Sequence, residues 1–489
     1  MKILFAFSFP FIGSRCTIAF REIQSLHLSI KARLRPALPK QAAAIRYLTR
    51  MYRMGRGGLL FKEMRLGKTL TFIRFTKVLG LIGPFLIVCP NAVKDAWANE
   101  LKAEREYDYV ILTGDKEDKI ETLTKEYKWY IVNFEAIVPT LKPKKDAKII
   151  RTGIDICEYA WFAVVVDESV KLADAKSNTA KYLLRYFPHV QFKYCLCGNP
   201  IPEHELQYVQ QFIFVFGHFM GYKDLWHFEK AHYDEINYQK IPKMGTRQAI
   251  YKYVHEWAFV CSRKEAGLGS VKIRSIRFVG MTPKQKEAYR LIQQNWEYKG
   301  VSTKYAVVKN GMLRDVASGF DISTSDQWFS DLKLKEINYL LSTELKKQQI
   351  IIWCKEKHEA NYLYKNLSRK YRTRLINGDV KREIRESYRQ DFHKGIYQIQ
   401  IATIKSLAKG TDWSCADTAI YFSEEFGADD VSQSEDRVIH PLKKGGVLLI
   451  YLQTKGTVDE DIHDMNVNKM INSSFFMSHL QERINKRAA

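Results

Sequence analysis

No stretch of 18 or more apolar residues occurs in this chain of 489 residues, so no segment has the length and character of a membrane-crossing helix. Cysteine is scarce as well. Of eight, only Cys195 and Cys197 stand close together, at strand spacing and with no second pair to complete a zinc site. A disulfide scaffold and a zinc module are both excluded, and the thiols read as small buried apolar groups in a reducing compartment. There is no low-complexity linker and no repeat at a solenoid period. Acidic residues are the last shortage: 54 Asp and Glu stand against 77 Lys and Arg, a formal net charge of +23. An excess of that size favours polyanions, nucleic acid or an anionic membrane surface.

What remains is an ordinary globular composition, 46% hydrophobic and 27% charged, on a chain long enough for two or three domains. The stretch Gly57 to Thr69 runs from an apolar strand-like segment into a turn, and the helical pattern Leu70 to Leu81 follows. A loop between a buried strand and a helix N-terminus aims backbone N–H groups and the positive end of the helix dipole at one spot, which suits a triphosphate. In the pattern GxxxxGK[ST], Lys68 reaches the β- and γ-phosphates and Thr69 holds Mg²⁺, although the first glycine is Lys62 here. Upstream, Gln41 precedes the helical pattern Ala42 to Tyr52, where its amide could read an adenine edge. Further upstream, Met1 to Gly13 imitates a signal peptide, but Pro10 interrupts the apolar run. It is read as the start of a small N-terminal module of strands continuing through Thr17 to Phe20.

Short, wholly apolar runs then recur: Phe85 to Pro90, Trp129 to Asn133, Trp161 to Asp167 and Phe192 to Cys197. Such runs mark strands buried on both faces of a parallel sheet, and alternation with helical patterns makes the fold class α/β. Ligands of such sheets bind at the carboxyl ends of the strands, where Asp167 and Glu168 emerge. One carboxylate can hold the metal that bridges the phosphates, and the next can polarise the attacking water. Residues 218–325, rich in aromatics, histidine and lysine, read as a helical insertion and linker. A second α/β unit follows, with buried runs at Gln349 to Cys354, Ile399 to Thr403, Thr418 to Phe422 and Gly446 to Leu452.

In this order the motifs resemble those of superfamily 2 helicases, most closely the Swi/Snf-type double-stranded DNA translocases. Lys62-Glu-Met-Arg-Leu-Gly-Lys-Thr69 is similar to DEMGLGKT, Pro39-Lys-Gln41 to PYQ, Asn133-Phe-Glu135 to TYE, and Pro90 with Trp97 and Glu100 to motif Ia. Asp167-Glu-Ser-Val170 stands where DEAH or DEGH is expected, and Leu196 to Ile201 where LTGTPI is. Ser262-Arg-Lys264, Met281 to Tyr289, Ala402-Thr403 with Gly410 and Asp412, Gln433 to Arg437 and Gly456 to Ile462 resemble the later motifs. The resemblance covers residues 37 to 465.

It implies two RecA-like parallel-sheet domains with ATP between them: an N-terminal module at 1–33, domain 1 at 34–217, the insertion at 218–325, domain 2 at 326–465 and a basic tail at 466–489. Lys68, Asp167, Glu168 and Arg437 become the catalytic set, with Thr69 and Asp167 on Mg²⁺. Gln41, Arg65, Leu66, Gly67, Gly410 and Asp412 join Lys68, Thr69 and Arg437 around ATP. Pro90, Asn91, Asn133, Thr403 and Lys405 face DNA. Phage-type branch-migration helicases share this plan, so the expected activity is ATP-driven movement on double-stranded DNA with remodelling of forks and four-way junctions. The expected setting is a monomer on DNA, without membrane attachment, in the cytoplasm of a bacterial or phage-infected cell. An RNA-remodelling helicase and a scaffold with a weakened motor are the alternatives.

Four departures from the family pattern stand out. Arg65 replaces a loop glycine, so its backbone is expected to avoid positive φ and its guanidinium to reach a phosphate. Val170 replaces a histidine, Asn199 a threonine, and His440 the second arginine of motif VI, leaving Lys443 or Lys444 as other candidates for that role.

Overall fold

The computed structural model describes residues 40–114, 116–137, 156, 159–201, 204–236, 239–267, 272–324, 326–407, 412–439 and 446–470. The N-terminal module, most of the tail, Gly410, His440, Lys443 and Lys444 lie outside them.

Two parallel sheets organise the described chain. The first is built from β1 (Gly58–Lys62), β2 (Phe85–Cys89), β3 (Tyr109–Ile111), β4 (Trp129–Asn133), β5 (Ala163–Asp167) and β6 (Phe192–Cys197). A hairpin of β7 (Tyr233–Ile236) and β8 (Gln239–Pro242) follows, and β9 (Ala258–Cys261) closes the lobe, giving the order β3-β4-β2-β5-β6-β1-β9. The second sheet takes β10 (Lys272–Val279) and, beyond a small hairpin of β11 (Glu297–Tyr298) and β12 (Val301–Ser302), β13 (Ile350–Cys354), β14 (Thr373–Ile376), β15 (Ile399–Thr403), β16 (Thr418–Tyr421) and β17 (Val447–Thr454). Its order is β10-β17-β16-β13-β15-β14. The expected α/β fold of two RecA-like parallel-sheet domains is what the chain adopts.

The apolar runs explain why both sheets are sandwiched. In β1, Leu59 and Phe61 enter the core on one face while Leu60 enters the core on the other. In β13, Ile351 and Trp353 pack on one side, Ile350, Ile352 and Cys354 on the other. Every residue of β1, β2, β5, β13 and β15 is buried. A strand with no polar face needs helices on both sides, and only parallel crossovers supply them.

The segment read as a helical insertion is only partly helical. It gives β9 to the edge of the first sheet and β10 to the edge of the second, so the sheets extend past 217 and begin before 326. Ala258–Cys261 is too short to stand out among aromatics, and Lys272–Val279 interleaves bases with apolar residues because it is an edge strand. The remainder carries the two hairpins and a helical layer, Pro283–Asn295 against Ala306–Ser318. The Tyr289 hydroxyl accepts the Val458 N–H (2.8 Å), which ties that layer to the Gly456 to Ile462 element.

Candidate nucleotide and nucleic-acid site

The phosphate loop leaves β1 at Lys62 and enters the helix Lys68–Val78 through Gly67, whose φ of 66° and ψ of 50° make it a left-handed N-cap. Arg65 also has positive φ, 69°. That corrects the expectation for this position, since a side chain there faces a penalty of roughly 1–2 kcal/mol. The offset lies in the second domain. Arg65 Nη2 donates to Asp412 Oδ1 and to the Arg437 carbonyl, each at 2.8 Å, and Nε donates to the Asp436 carbonyl at 3.2 Å. The guanidinium expected on a phosphate thus bridges the domains. Leu66 is buried against Cys261 and Ala266, which anchors the loop from below.

Under the loop lies a lysine with an unusual environment. Lys62 is fully buried, and its Nζ donates to Thr71 Oγ1 (3.0 Å), which donates in turn to the Gly67 carbonyl (2.7 Å). Burial pushes the Lys62 ammonium down to about 8. Gln41 is fully buried too, and its Nε2 donates to the Gly67 carbonyl at 3.4 Å. Lys68 Nζ reaches the Lys62 carbonyl at 3.4 Å. A Cβ at Gly198 would lie 2.9 Å from Met64 Cγ and 3.2 Å from Lys68 Nζ, so a side chain there would displace both. Thr69 follows Lys68 in the first turn of the helix, half-buried.

Asp167 ends β5 and is 4% exposed. Its Oδ2 accepts the Trp97 indole N–H at 2.8 Å and its Oδ1 accepts the Glu168 N–H at 3.0 Å. Burial first, and the Glu168 charge second, raise this carboxyl to about 6, with Lys68 opposing them. Glu168 itself has φ 54° and ψ 51°, a left-handed conformation rare for a side chain of its size and of the kind that collects at functional sites. From the second domain, Arg437 ends the helix Ala428–Arg437 close enough for its charge to sense Glu168. Burial, then Arg65, lowers it to about 10. Burial works against the Asp412 carboxylate, yet Arg65 holds it down at about 2.

The sequence signalled neither Trp97 as the partner of Asp167 nor the charges that join the domains. Arg263 bonds Glu63 Oε2 through its backbone N–H (2.9 Å) and Nε (3.3 Å), and reaches Asp436 Oδ1 through Nη2 (2.8 Å). Within the second domain, Lys272 contacts Asp436 and Glu435, and Arg274 holds the Glu435 carboxylate twice at 2.8 Å. Asn199 Nδ2 donates to Asp429 Oδ1 at 2.8 Å. Around these bonds a cleft of about 320 Å³ is lined by Glu63, Glu168, Val170, Asn199, Arg263 and Asp429, among others.

The nucleic-acid candidates fall at carboxyl strand ends, as the topology requires. Asn133, paired with Cys89 in register, lies beside Pro90 and Asn91. Its amide donates to Glu135 Oε2 at 2.6 Å. Thr403 is 6% exposed and its hydroxyl donates to Ser406 Oγ (2.8 Å), whereas the largely exposed Lys405 sits 3.3 Å from Glu425.

Two parallel-sheet domains, a phosphate loop at the end of one strand, a carboxylate pair at the end of another and an arginine facing them from the second domain define a two-lobed α/β protein with a nucleotide cleft. The SNF2-related domain model matches residues 40–400, and the chain belongs to that family. Over 263 residues it is 24% identical to the ISWI chromatin-remodeling complex ATPase ISW1 of Saccharomyces cerevisiae, covering 52% of this chain and 22% of that protein. Over 474 residues it is 22% identical to chromodomain-helicase-DNA-binding protein 1-like of Danio rerio, covering 88% and 43%. The chain thus spans less than half the length of either relative. Among solved structures, the SWI2/SNF2 ATPase core of Sulfolobus solfataricus in complex with dsDNA is similar with a TM-score of 0.44 at 16% identity, covering 91% of this chain and 95% of that one.

Proposed function

We propose that the chain is an ATP-driven motor that moves along double-stranded DNA and remodels forks and four-way junctions, acting as a monomer in the cytoplasm of a bacterial or phage-infected cell. The observation that carries the motor reading is the Arg437 backbone bonded to Arg65 of the phosphate loop, with Asp167 and Glu168 at the end of β5 and Glu168 lining the interdomain cleft. Lys68 and the N-terminal N–H groups of its helix bind the β- and γ-phosphates of ATP. Glu168 orients the attacking water, and Arg437 stabilises charge on the transferred phosphoryl group.

The residues present fit Mg²⁺. Each Asp167 oxygen accepts one hydrogen bond and keeps lone pairs for a ligand, and the Thr69 hydroxyl sits at the start of the adjoining helix. Among the described residues no group of three or more His, Cys, Asp or Glu could cage a metal, which suits an ion held by one or two side chains, phosphates and water. Bound there, Mg²⁺ would neutralise charge on the phosphates.

Because Arg437 and the phosphate loop belong to different domains, hydrolysis is linked to their approach and release. Asn91 and Asn133 on the first domain and Lys405 on the second grip the DNA backbone in alternation. The net charge of +23 supports a polyanion track, and phosphate contacts imply steep salt dependence with little sequence preference. The test is ATP hydrolysis and strand displacement on fork, four-way, duplex and single-stranded DNA and on duplex RNA, with Lys68→Ala as control. Stronger stimulation by RNA would overturn the choice of DNA, and no hydrolysis on any substrate would leave a nucleic-acid scaffold.

A further inference from the structure

The Arg65 side chain makes a set of bonds that the motor reading leaves unexplained. Of the five N–H donors on a guanidinium, three are committed to the second domain, two of them to the last two carbonyls of the helix that carries Arg437 and one to Asp412 in the loop before β16. The Arg65 side chain is 16% exposed and that of Asp412 37%, so the pair is partly screened by water on the carboxylate side, while the 2.8 Å Arg–carboxylate bond is of the charge-assisted kind. Every partner is a group of the second domain. The Arg437 carbonyl that Arg65 holds also accepts the Trp413 N–H (3.1 Å), which fixes the end of the helix from two sides. The backbone conformation at Arg65 is one that favours glycine, and an arginine is kept there at the expense of strain.

We infer that Arg65 is a positioning residue, which seats Arg437 over the phosphate loop by clasping Asp412 and the Asp436 and Arg437 carbonyls. The inference rests on the motor reading for its kinetic consequence but not for the clasp itself. Asn199 acts beside it, since its bond to Asp429 ties the loop after β6 to the first turn of the same helix, Ala428–Arg437, that ends at Arg437. Arg65 and Asn199 both replace other residues of the family pattern. The two substitutions therefore share one consequence, a second domain held to the first by the chain itself.

Arg65→Gly is the informative variant, because glycine suits the local φ and the fold is not put at risk. A residue that positions Arg437 matters in the transition state more than in ground-state binding. Arg65→Gly should therefore lower kcat about 10-fold or more while changing KM for ATP by less than about 3-fold. Asp412→Ala should do the same, and the double variant should be no slower than the slower single, because both remove one contact. A rise in KM of about 10-fold with kcat retained would make Arg65 a direct phosphate ligand and overturn the inference, as would single effects that multiply in the double variant. Small-angle X-ray scattering of the nucleotide-free full chain gives a reading independent of hydrolysis. Arg65→Gly should show a larger radius of gyration than wild type, and identical curves would remove the clasp. Were the wild type to hydrolyse no ATP at all, the motor reading would fall and scattering alone would decide the clasp.

Discussion

The charges at the carboxyl ends of the two sheets are treated in opposite ways. In the second domain two buried carboxylates, Glu359 and Glu435, are surrounded. Glu359 accepts from the hydroxyls of Ser318 and Ser423 and from the N–H groups of Lys355 and Glu356, and Glu435 is held by Lys272, Arg274 and the Tyr451 hydroxyl. In the first domain Lys68 has a long bond to one carbonyl, Asp167 is pushed up to about 6, and Glu168 stands in a strained conformation. Buried charge that is fully matched consolidates a fold, while charge left unmatched in a cleft is a mark of a site awaiting a ligand. The contrast makes the two ends separable by substitution.

The largest expected effect is on activity alone. Lys68→Ala should lower ATP hydrolysis ~10²-fold or more, the scale for removing one transition-state donor. Its melting temperature should stay near wild type, because the half-buried Lys68 makes few contacts to lose. A melting temperature that fell with the activity would mean that Lys68 is as structural as Glu435. The converse is Glu435→Gln. It leaves Lys272 and Arg274 facing a neutral group at a fully buried position and should destabilise by about 3 kcal/mol, the low end for a broken buried pair because Arg274 is itself over a third exposed. Thermal unfolding should register that as a drop of roughly 6–12 °C. Although burial opposes it, Lys272 and Arg274 hold the Glu435 carboxyl below its ordinary 4.5. Its contribution to stability is therefore complete above that pH and is lost as the pH falls through the lower folded value.

The same contrast explains how far the sequence could be read. The runs at 85–89, 129–133, 163–167 and 350–354 were legible as strands because burial on both faces leaves no polar position to blur the pattern. Lys68, Thr69, Asp167 and Glu168 could be proposed from the sequence because phosphate chemistry favours those residue types at strand ends, and Arg437 from the family resemblance. Nothing local betrayed β9 and β10, edge strands whose exposed sides carry mixed residues. Nor could spacing reveal Arg65 reaching Asp412, 347 residues away, or Trp97 reaching Asp167, 70 residues away. Such pairings exist only once two domains or two strand ends are folded together.

Trp97→Phe sharpens the comparison at the first-domain end. The phenyl ring fills most of the indole's buried space but donates no hydrogen bond, so Asp167 loses the Trp97 N–H bond to its Oδ2. If the bond is worth ~1–3 kcal/mol to the transition state, its loss should appear as a roughly 5- to 150-fold drop in ATP hydrolysis. Hydrolysis at the wild-type rate would make the indole mere core packing.

The smallest effect concerns the buried charge that belongs to neither pattern, Lys62, which among the described residues donates to a single hydroxyl, that of Thr71. Burial lowers its ammonium from 10.5 to about 8, so the folded chain carries an unfavourable charge at neutral pH. Lys62→Met keeps the length and removes the charge, and Thr71 can still donate to the Gly67 carbonyl. At pH 7 the variant should be more stable than wild type by about 1 kcal/mol, since replacing a poorly matched buried ion by an apolar side chain is neutral or favourable. Below pH 8 lysine is protonated in both states and the penalty is complete; between about 8 and 10.5 it remains protonated only in the unfolded chain, and wild-type stability recovers. Urea unfolding of both proteins at pH 7 and pH 9.5 should therefore show the gap closing as the pH rises. A gap that stays constant with pH would mean that the ammonium under the phosphate loop has a matched partner after all, and the loop would then resemble the second-domain end of the comparison.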